Sequence, residues 1–122
     1  MSIRVKIDSR DLQKKLGRLP GGARSASIRE LHDAAVELRD ESRLLAPKDT
    51  LDLERSIVAA PVRVSGDVIE TEYGTDNDHA SFQEFGWEDN QGQPFIRPAV
   101  DGIGRSVAQD AARGIKRDIE GV

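Results

Sequence analysis

Ser56-Ile57-Val58-Ala59-Ala60-Pro61-Val62-Arg63-Val64-Ser65-Gly66-Asp67-Val68-Ile69-Glu70-Thr71-Glu72-Tyr73 is the stretch that decides the fold class. Its first part alternates, with Val58, Ala60, Val62 and Val64 on one face and Ile57, Ala59, Pro61 and Arg63 on the other, the period of a half-buried strand. Ser65-Gly66-Asp67 is a hairpin turn signal. The return run then sets Ile69, Thr71 and Tyr73 against Glu70 and Glu72. An antiparallel hairpin is therefore expected. Pro61 has no amide to donate to a ladder, so its strand belongs at a sheet edge or bulges there. An edge strand leaves unpaired backbone groups that invite a neighbour.

Toward the N-terminus, a helix is expected from about Ser25 or Ser27 to Ala46. Ile28, Leu31, Ala35, Leu38, Ser42 and Leu45 recur at steps of three and four and share one face. Glu30, Asp33, Glu37, Arg39, Asp40 and Arg43 take the others. Pro47 biases its predecessor out of helical geometry and ends the run; Pro47-Lys48-Asp49-Thr50 reads as a turn. Earlier still, Ile3, Val5 and Ile7 alternate with Ser2, Arg4 and Lys6, which predicts another strand. Asp8 or Ser9 can cap a short helix after it, with Leu12, Leu16 and Leu19 as its apolar stripe and Pro20-Gly21-Gly22 as its stop.

Toward the C-terminus, Val100, Ile103, Val107, Ala111, Ile115 and Ile119 form the stripe of a last helix, with Pro98 suited to its first turn. Gly102, Gly104 and Gly114 weaken it by about 0.5–1 kcal/mol each relative to alanine, so it leans on packing. The sum is an α+β fold: a long amphipathic helix packed on a small antiparallel β-sheet, with a C-terminal helix. A single domain is expected over 1–122, divided into a basic strand and helix segment (1–24) and a core (25–122).

Composition narrows the function. No cysteine is present, which removes disulfide scaffolds and thiol-based metal or redox sites. No apolar run approaches the ~18 residues of a membrane span, and the N-terminus lacks the apolar region of a signal peptide. A soluble, cytosolic product without membrane contact is expected. The net charge of −4 is uneven: residues 1–29 hold eight basic and two acidic groups, whereas residues 30–92 hold five basic and sixteen acidic. Such asymmetry marks either solvated faces or a charged partner. The basic segment lacks interleaved aromatics for stacking bases, and the acidic middle repels phosphate, so no specific nucleic-acid binding is expected.

Catalytic constellations are missing. No Gly-x-Ser-x-Gly elbow, glycine-rich phosphate loop or Walker motif occurs, and His32 falls on the polar side of the long helix. Asp76-Asn77-Asp78-His79 is the best metal candidate. A calcium loop counted from Asp76 would need glycine and glutamate where Ser81 and Trp87 stand. A turn role is expected instead, with Asp78 accepting amides at the start of a short Ala80–Phe85 helix. No catalytic residue, metal or cofactor is assigned.

All five aromatic residues, Tyr73, Phe82, Phe85, Trp87 and Phe95, fall between Tyr73 and Pro98. Aromatics carry the largest apolar area per residue, so this segment is either the core's centre or a docking surface. Phe82 and Phe85, three apart, are expected to pin the short helix to the sheet. Trp87, beside the polar run Glu88-Asp89-Asn90-Gln91-Gly92, is expected at a protein contact, where tryptophan is enriched.

Three pieces in order carry a resemblance: Ala46-Pro47-Lys48-Asp49-Thr50 with Leu53 and Ser56-Ile57 after the long helix, then Ser81-Phe82-Gln83-Glu84-Phe85-Gly86, then Gln93-Pro94-Phe95-Ile96-Arg97-Pro98-Ala99 before the last helix. Over about residues 28–119 the chain resembles the tail-component or neck family of long-tailed double-stranded DNA bacteriophages. It departs from that pattern at Leu51, where the family usually has glycine, at His79-Ala80 for Tyr-Ala, at Gln83 for valine and at Trp87 for threonine. The resemblance implies a non-enzymatic virion structural protein of the head–tail junction or tail completion, assembled in the host cytoplasm. It implies a homo-oligomeric ring and contacts with connector, tail-terminator or tail-tube proteins. Phe82, Glu84, Phe85, Gly86, Trp87, Phe95 and Arg97 are the protein-contact candidates. Two other classes are weighed beside it: a small metal-dependent hydrolase using Asp76, Asp78, His79 and Glu84, and a regulatory protein-binding module docking through residues 1–24.

Overall fold

A computed structural model describes residues 2–10, 23–48, 51–66, 68–89 and 91–120, with the side chains of 23–25 and 118–120 left aside. The elements are β1 (Ile3–Asp8), α1 (Ala23–Leu45), α2 (Asp52–Ser56), β2 (Val58–Ala59), β3 (Arg63–Ser65), β4 (Val68–Thr75), α3 (Ala80–Phe85) and α4 (Arg97–Glu120). The expected helix after Asp8 is seen only at its first residues, Ser9 and Arg10; Leu12, Leu16, Leu19 and Pro20-Gly21-Gly22 lie outside the described residues.

The hairpin reading holds, and β4 becomes the centre of the sheet. β1 runs antiparallel along one side of β4 from Ile3↔Thr75 to Asp8↔Glu70. β2 and β3 share the other side, with Val58↔Gly74 at one end and Ser65↔Val68 at the other. Pro61 separates them as its missing amide requires. The Ala60 amide still donates to the Glu72 carbonyl at 2.8 Å, and the Thr71 hydroxyl donates to the Ala60 carbonyl at 2.9 Å. Beyond that point the register has shifted by one residue, which is the count of a bulge.

Two details of that strand go beyond the sequence reading. Residues 52–56 are helical rather than leading straight into the strand. The buried member of the run is Ile57, whereas Val58 and Val64 are exposed. The reason is that a strand broken at Pro61 cannot keep one alternating face against the core. On β4 the expected face does hold: Ile69, Thr71 and Tyr73 are buried, and Thr75 extends it.

α1 packs on the sheet and on α4. Leu31, Ala34, Ala35, Leu38 and Ser42 are buried along it, with Ile28 and Leu45 half-buried, and His32 is exposed as expected. One cluster joins Leu38, Leu53, Ile57, Tyr73, Phe95 and Val107. A second joins Leu31, Ile69, Ala111 and Ile115 near the start of α1. At Gly114 the Glu30 carboxylate comes within 2.4 Å of where a Cβ would stand, so a side chain there would turn the flexible Glu30 aside. The side chain of Ile119 lies outside the described set.

Leu51 precedes α2 at φ 65°, ψ −4°. This is the left-handed conformation that glycine adopts most readily, here with a leucine in it. A non-glycine residue there costs about 1–2 kcal/mol, while glycine adds about 0.5–1 kcal/mol of unfolded-state entropy. Leu51→Gly is expected to stabilise the protein by about 0.5 kcal/mol, read as a small rise in the urea midpoint. A fall would show that Leu51's side-chain packing outweighs the strain.

Tyr73, the sole tyrosine, is fully buried with its hydroxyl 3.0 Å from the Ser42 hydroxyl. Burial raises its pKa above the ordinary 10.0, the Ser42 hydrogen bond opposes the shift, and the Glu84 charge adds to it. The fold therefore favours neutral tyrosine. This contribution is complete below pH 10 and is lost as pH rises from there through the native value. Absorbance at 295 nm is expected to titrate above 10 in the folded protein and at the ordinary value in urea. Equal midpoints would remove the argument.

Candidate protein-contact site

The segment after β4 begins with polar turn chemistry. Asp76 is held by the Ser2 hydroxyl and the Arg4 guanidinium, each at 2.6 Å. The Ser2 hydrogen bond foremost, and then Arg4, keep its carboxyl below the ordinary aspartate range. Asn77, rather than Asp78, serves the start of α3: its side-chain oxygen accepts the His79 amide at 2.9 Å, and its carbonyl accepts the Ala80 amide at 3.1 Å. Asn77 wins because its side chain folds back onto the amide two residues ahead, an Asx turn.

α3 spans Ala80–Phe85 as expected, but its faces are reversed. Ala80, Ser81 and Glu84 are buried, and Phe82 and Phe85 point outward at 46% and 62% exposure. The phenylalanines do not pin the helix to the sheet. Glu84, 1% exposed, does that by reaching the next helix. Its Oε1 accepts the amides of Phe95 and Ile96 at 3.1 and 2.7 Å, and its Oε2 accepts the Arg97 amide at 3.1 Å.

A carboxylate thus sits on the free amides at the start of α4, where the helix dipole also favours negative charge. Arg97 closes the arrangement. Its Nε lies 3.4 Å from Glu84 Oε2, and its Nη2 donates to the Glu84 carbonyl at 3.3 Å. Its guanidinium stands 5.1 Å over the Phe85 ring, a cation–π contact. Phe95 is fully buried in the core below.

The loop between these motifs is tied at its base. The Gly86 amide donates to the Phe82 carbonyl at 2.8 Å, and the Gln93 amide donates to the Gln83 carbonyl at 2.7 Å, so two carbonyls in the last turn of α3 are satisfied. Gly86 and Gly92 have φ of 81° and 73°. A Cβ on Gly92 would meet the Gln83 carbonyl oxygen at 2.6 Å, so only glycine permits this close return. Trp87 stands on the loop, 57% exposed, its ring 5.8 Å from that of Phe82 at 56°.

The aromatic stretch is therefore divided. Tyr73 and Phe95 are core, and Phe82, Phe85 and Trp87 form one exposed surface beside Arg97. Of the seven contact candidates, the structure brings Phe82, Phe85, Trp87 and Arg97 together at the surface. Glu84, Gly86 and Phe95 support them from beneath. The residues weighed for a hydrolase are dispersed in role: Asp76 bonds β1 and Glu84 holds the α4 amides. Among the described residues no three His, Cys, Asp or Glu side chains gather as a metal site requires. The basic segment weighed for a regulatory module is part of the sheet as far as Asp8, and residues 11–22 lie outside the described residues. No helix among the described residues is long and apolar enough to cross a membrane.

One buried polar group, Glu84, thus orders this exposed aromatic surface. The profile of the HK97-gp10-like family, described as "Bacteriophage HK97-gp10, putative tail-component", matches residues 10–86. That span exceeds half of the 122 residues, and the chain belongs to this family of bacteriophage tail components. The match contains the Ala46-Pro47 and Glu84-Phe85-Gly86 motifs and stops short of Pro94-Phe95-Ile96-Arg97-Pro98. No curated protein and no solved structure matches the chain.

Proposed function

We propose that the protein is a non-enzymatic structural component of the virion, acting at the head–tail junction or in tail completion through oligomerisation and protein contacts. The observation that carries this reading is the exposed trio Phe82, Phe85 and Trp87, held by the buried Glu84 rather than by its own burial. Exposed aromatics grouped in one patch mark interaction surfaces, and a support of hydrogen bonds keeps such anchors oriented before a partner arrives. In the virion the partners would be further copies of the chain together with connector, tail-terminator or tail-tube proteins.

Cross-linking mass spectrometry on purified particles of the phage that encodes the chain tests the reading. Cross-links from the vicinity of Trp87 to proteins at the head–tail boundary are expected. Particles that lack the chain altogether would refute a virion role. Particles carrying it only at the distal end of the tail would refute the junction.

A further inference from the structure

Besides the aromatic surface, the described residues form an apolar groove. It lies between β1, α1 and α4 and encloses about 330 Å³. Val5, Ile7, Leu38, Val100 and Val107 line it, and Gly104 and Ala108 leave its α4 wall low. Lys6 and Arg105 are its cationic groups, both exposed. The acid at its edge, Asp8, is already paired with Arg10 at 2.8 Å. The groove is thus apolar inside with a net positive rim.

The loop at Trp87 has the opposite character. Trp87 projects over Phe82, and the next two residues, Glu88 and Asp89, are both exposed acids. Glu88 adopts φ 51°, a conformation uncommon for a non-glycine residue, and turns the chain sharply just after the indole. Knob and groove share no residue, so they form two separate surfaces on one chain.

Their sizes and charges match. A volume of about 330 Å³ is the space of about ten waters, enough for an indole and its methylene. Burying the indole there removes apolar area from water on both sides, at about 25 cal/mol per Å². It also brings Glu88 and Asp89 toward Lys6 and Arg105. Opposite charges at a rim set register and speed association more than they add affinity.

From this we infer that a second copy of the chain fills the groove, with Trp87 of one molecule entering between β1, α1 and α4 of the next. This deepens the assembly reading above and rests on it. Made reciprocally the contact closes a two-fold dimer; made head to tail, one copy's knob in the next copy's groove, it is heterologous. Such contacts close into rings when the rotation per step divides the circle and grow into open filaments when it does not.

Two variants test the pairing. Trp87→Ala removes the knob and leaves the groove. Gly104→Trp fills the groove and leaves the knob, and it is sterically permitted because a Cβ there meets only a Val100 methyl at 3.5 Å. Circular dichroism and thermal melts first establish that both variants fold. Light scattering behind a sizing column then reads mass against concentration.

Wild type is expected to grow from monomer to a multimer, and each variant alone is expected to stay monomeric with association weakened about 30-fold or more. An equimolar mixture of the two variants has one intact knob facing one intact groove. It is expected to give a heterodimer and nothing larger.

If wild type multimerises and Trp87→Ala does so equally, the pairing is wrong while the tail-component reading stands. If the mixture yields no heterodimer, the pairing is also wrong. If Gly104→Trp lowers the melting temperature of the monomer and Trp87→Ala changes nothing, the groove is not a docking site for a second copy, which overturns the inference. A wild type that stays monomeric up to millimolar concentration overturns it as well, and the particle cross-links then decide the virion role on their own.

Discussion

Glu84→Ala is expected to lower the stability of the fold by about 4 kcal/mol. The substitution strips an acceptor from three amides, those of Phe95, Ile96 and Arg97, at 2.7–3.1 Å. Hydrogen bonds to a charged group contribute about 1.5–3 kcal/mol each, and a buried amide left without a partner costs about 1–3 kcal/mol. The three share one carboxylate, so their losses do not add fully. Against a total stability of about 5–15 kcal/mol, the change removes a large share and should lower the melting temperature by about 15 °C.

Glu84→Gln separates charge from shape. It keeps one acceptor oxygen but turns an NH2 group toward amides that also donate, so it should lose about half as much. Urea denaturation followed by circular dichroism gives both values. If Glu84→Ala lies within 1 kcal/mol of wild type, the carboxylate is not what joins α3 to α4.

The effect on the surface follows from the same geometry. Arg97 touches both Glu84 and the Phe85 ring, so losing the carboxylate frees the guanidinium that stands beside the aromatics. Trp87, the sole tryptophan, is already exposed and rests on Phe82. Its fluorescence should therefore respond little to the loss of Glu84 in the monomer.

The main elements were legible because their periods were clean. β1, the hairpin and the two long helices each show a stripe of apolar residues at the spacing of two or of three and four. The two ends of the Glu84 arrangement were harder to see. A rule that places phenylalanine inside and glutamate outside predicts the opposite of α3, since Phe82 and Phe85 share the outer face and Glu84 the inner one.

One signal could have shown it. The last helix follows Gln93-Pro94-Phe95-Ile96 with no Ser, Thr, Asp or Asn at the position where a local cap would stand. A helix of 24 residues packed into a core must have its first amides satisfied by something. The nearest acceptor upstream with a buried environment is Glu84. Two features outside the site have equally local causes. Leu51, where the family usually has glycine, takes the left-handed backbone itself. The alternation carried through Pro61 does not persist, because the register shifts there.

Gly74→Ala is the second change with a large expected effect, and it tests why β4 lies at the centre. Gly74 pairs with Arg4 on one side and with Val58 on the other. A Cβ at this position would stand 1.9 Å from the Ile3 carbonyl oxygen and 2.9 Å from the Ile3 carbonyl carbon. Both are backbone atoms of β1, so no side-chain rotation relieves the clash. β1 has to move.

The movement costs more than the usual 1–3 kcal/mol of overpacking, because β1 also carries Ile3, Val5 and Ile7 against the main core cluster. Replacing glycine in a strand would otherwise gain about 0.5–1 kcal/mol, which is too small to offset it. A loss of more than about 3 kcal/mol is expected by urea denaturation.

The residue on which to watch the strand leave is Asp76, whose carboxyl is held down chiefly by Ser2 and then by Arg4 from β1. If β1 detaches in Gly74→Ala, NMR titration should find the Asp76 pKa back in the ordinary aspartate range, and the amides of residues 3–8 should lose hydrogen-exchange protection. A variant that keeps both the low Asp76 pKa and the protection would show that β1 adjusts in place, and the central strand would then tolerate a side chain where the geometry forbids one.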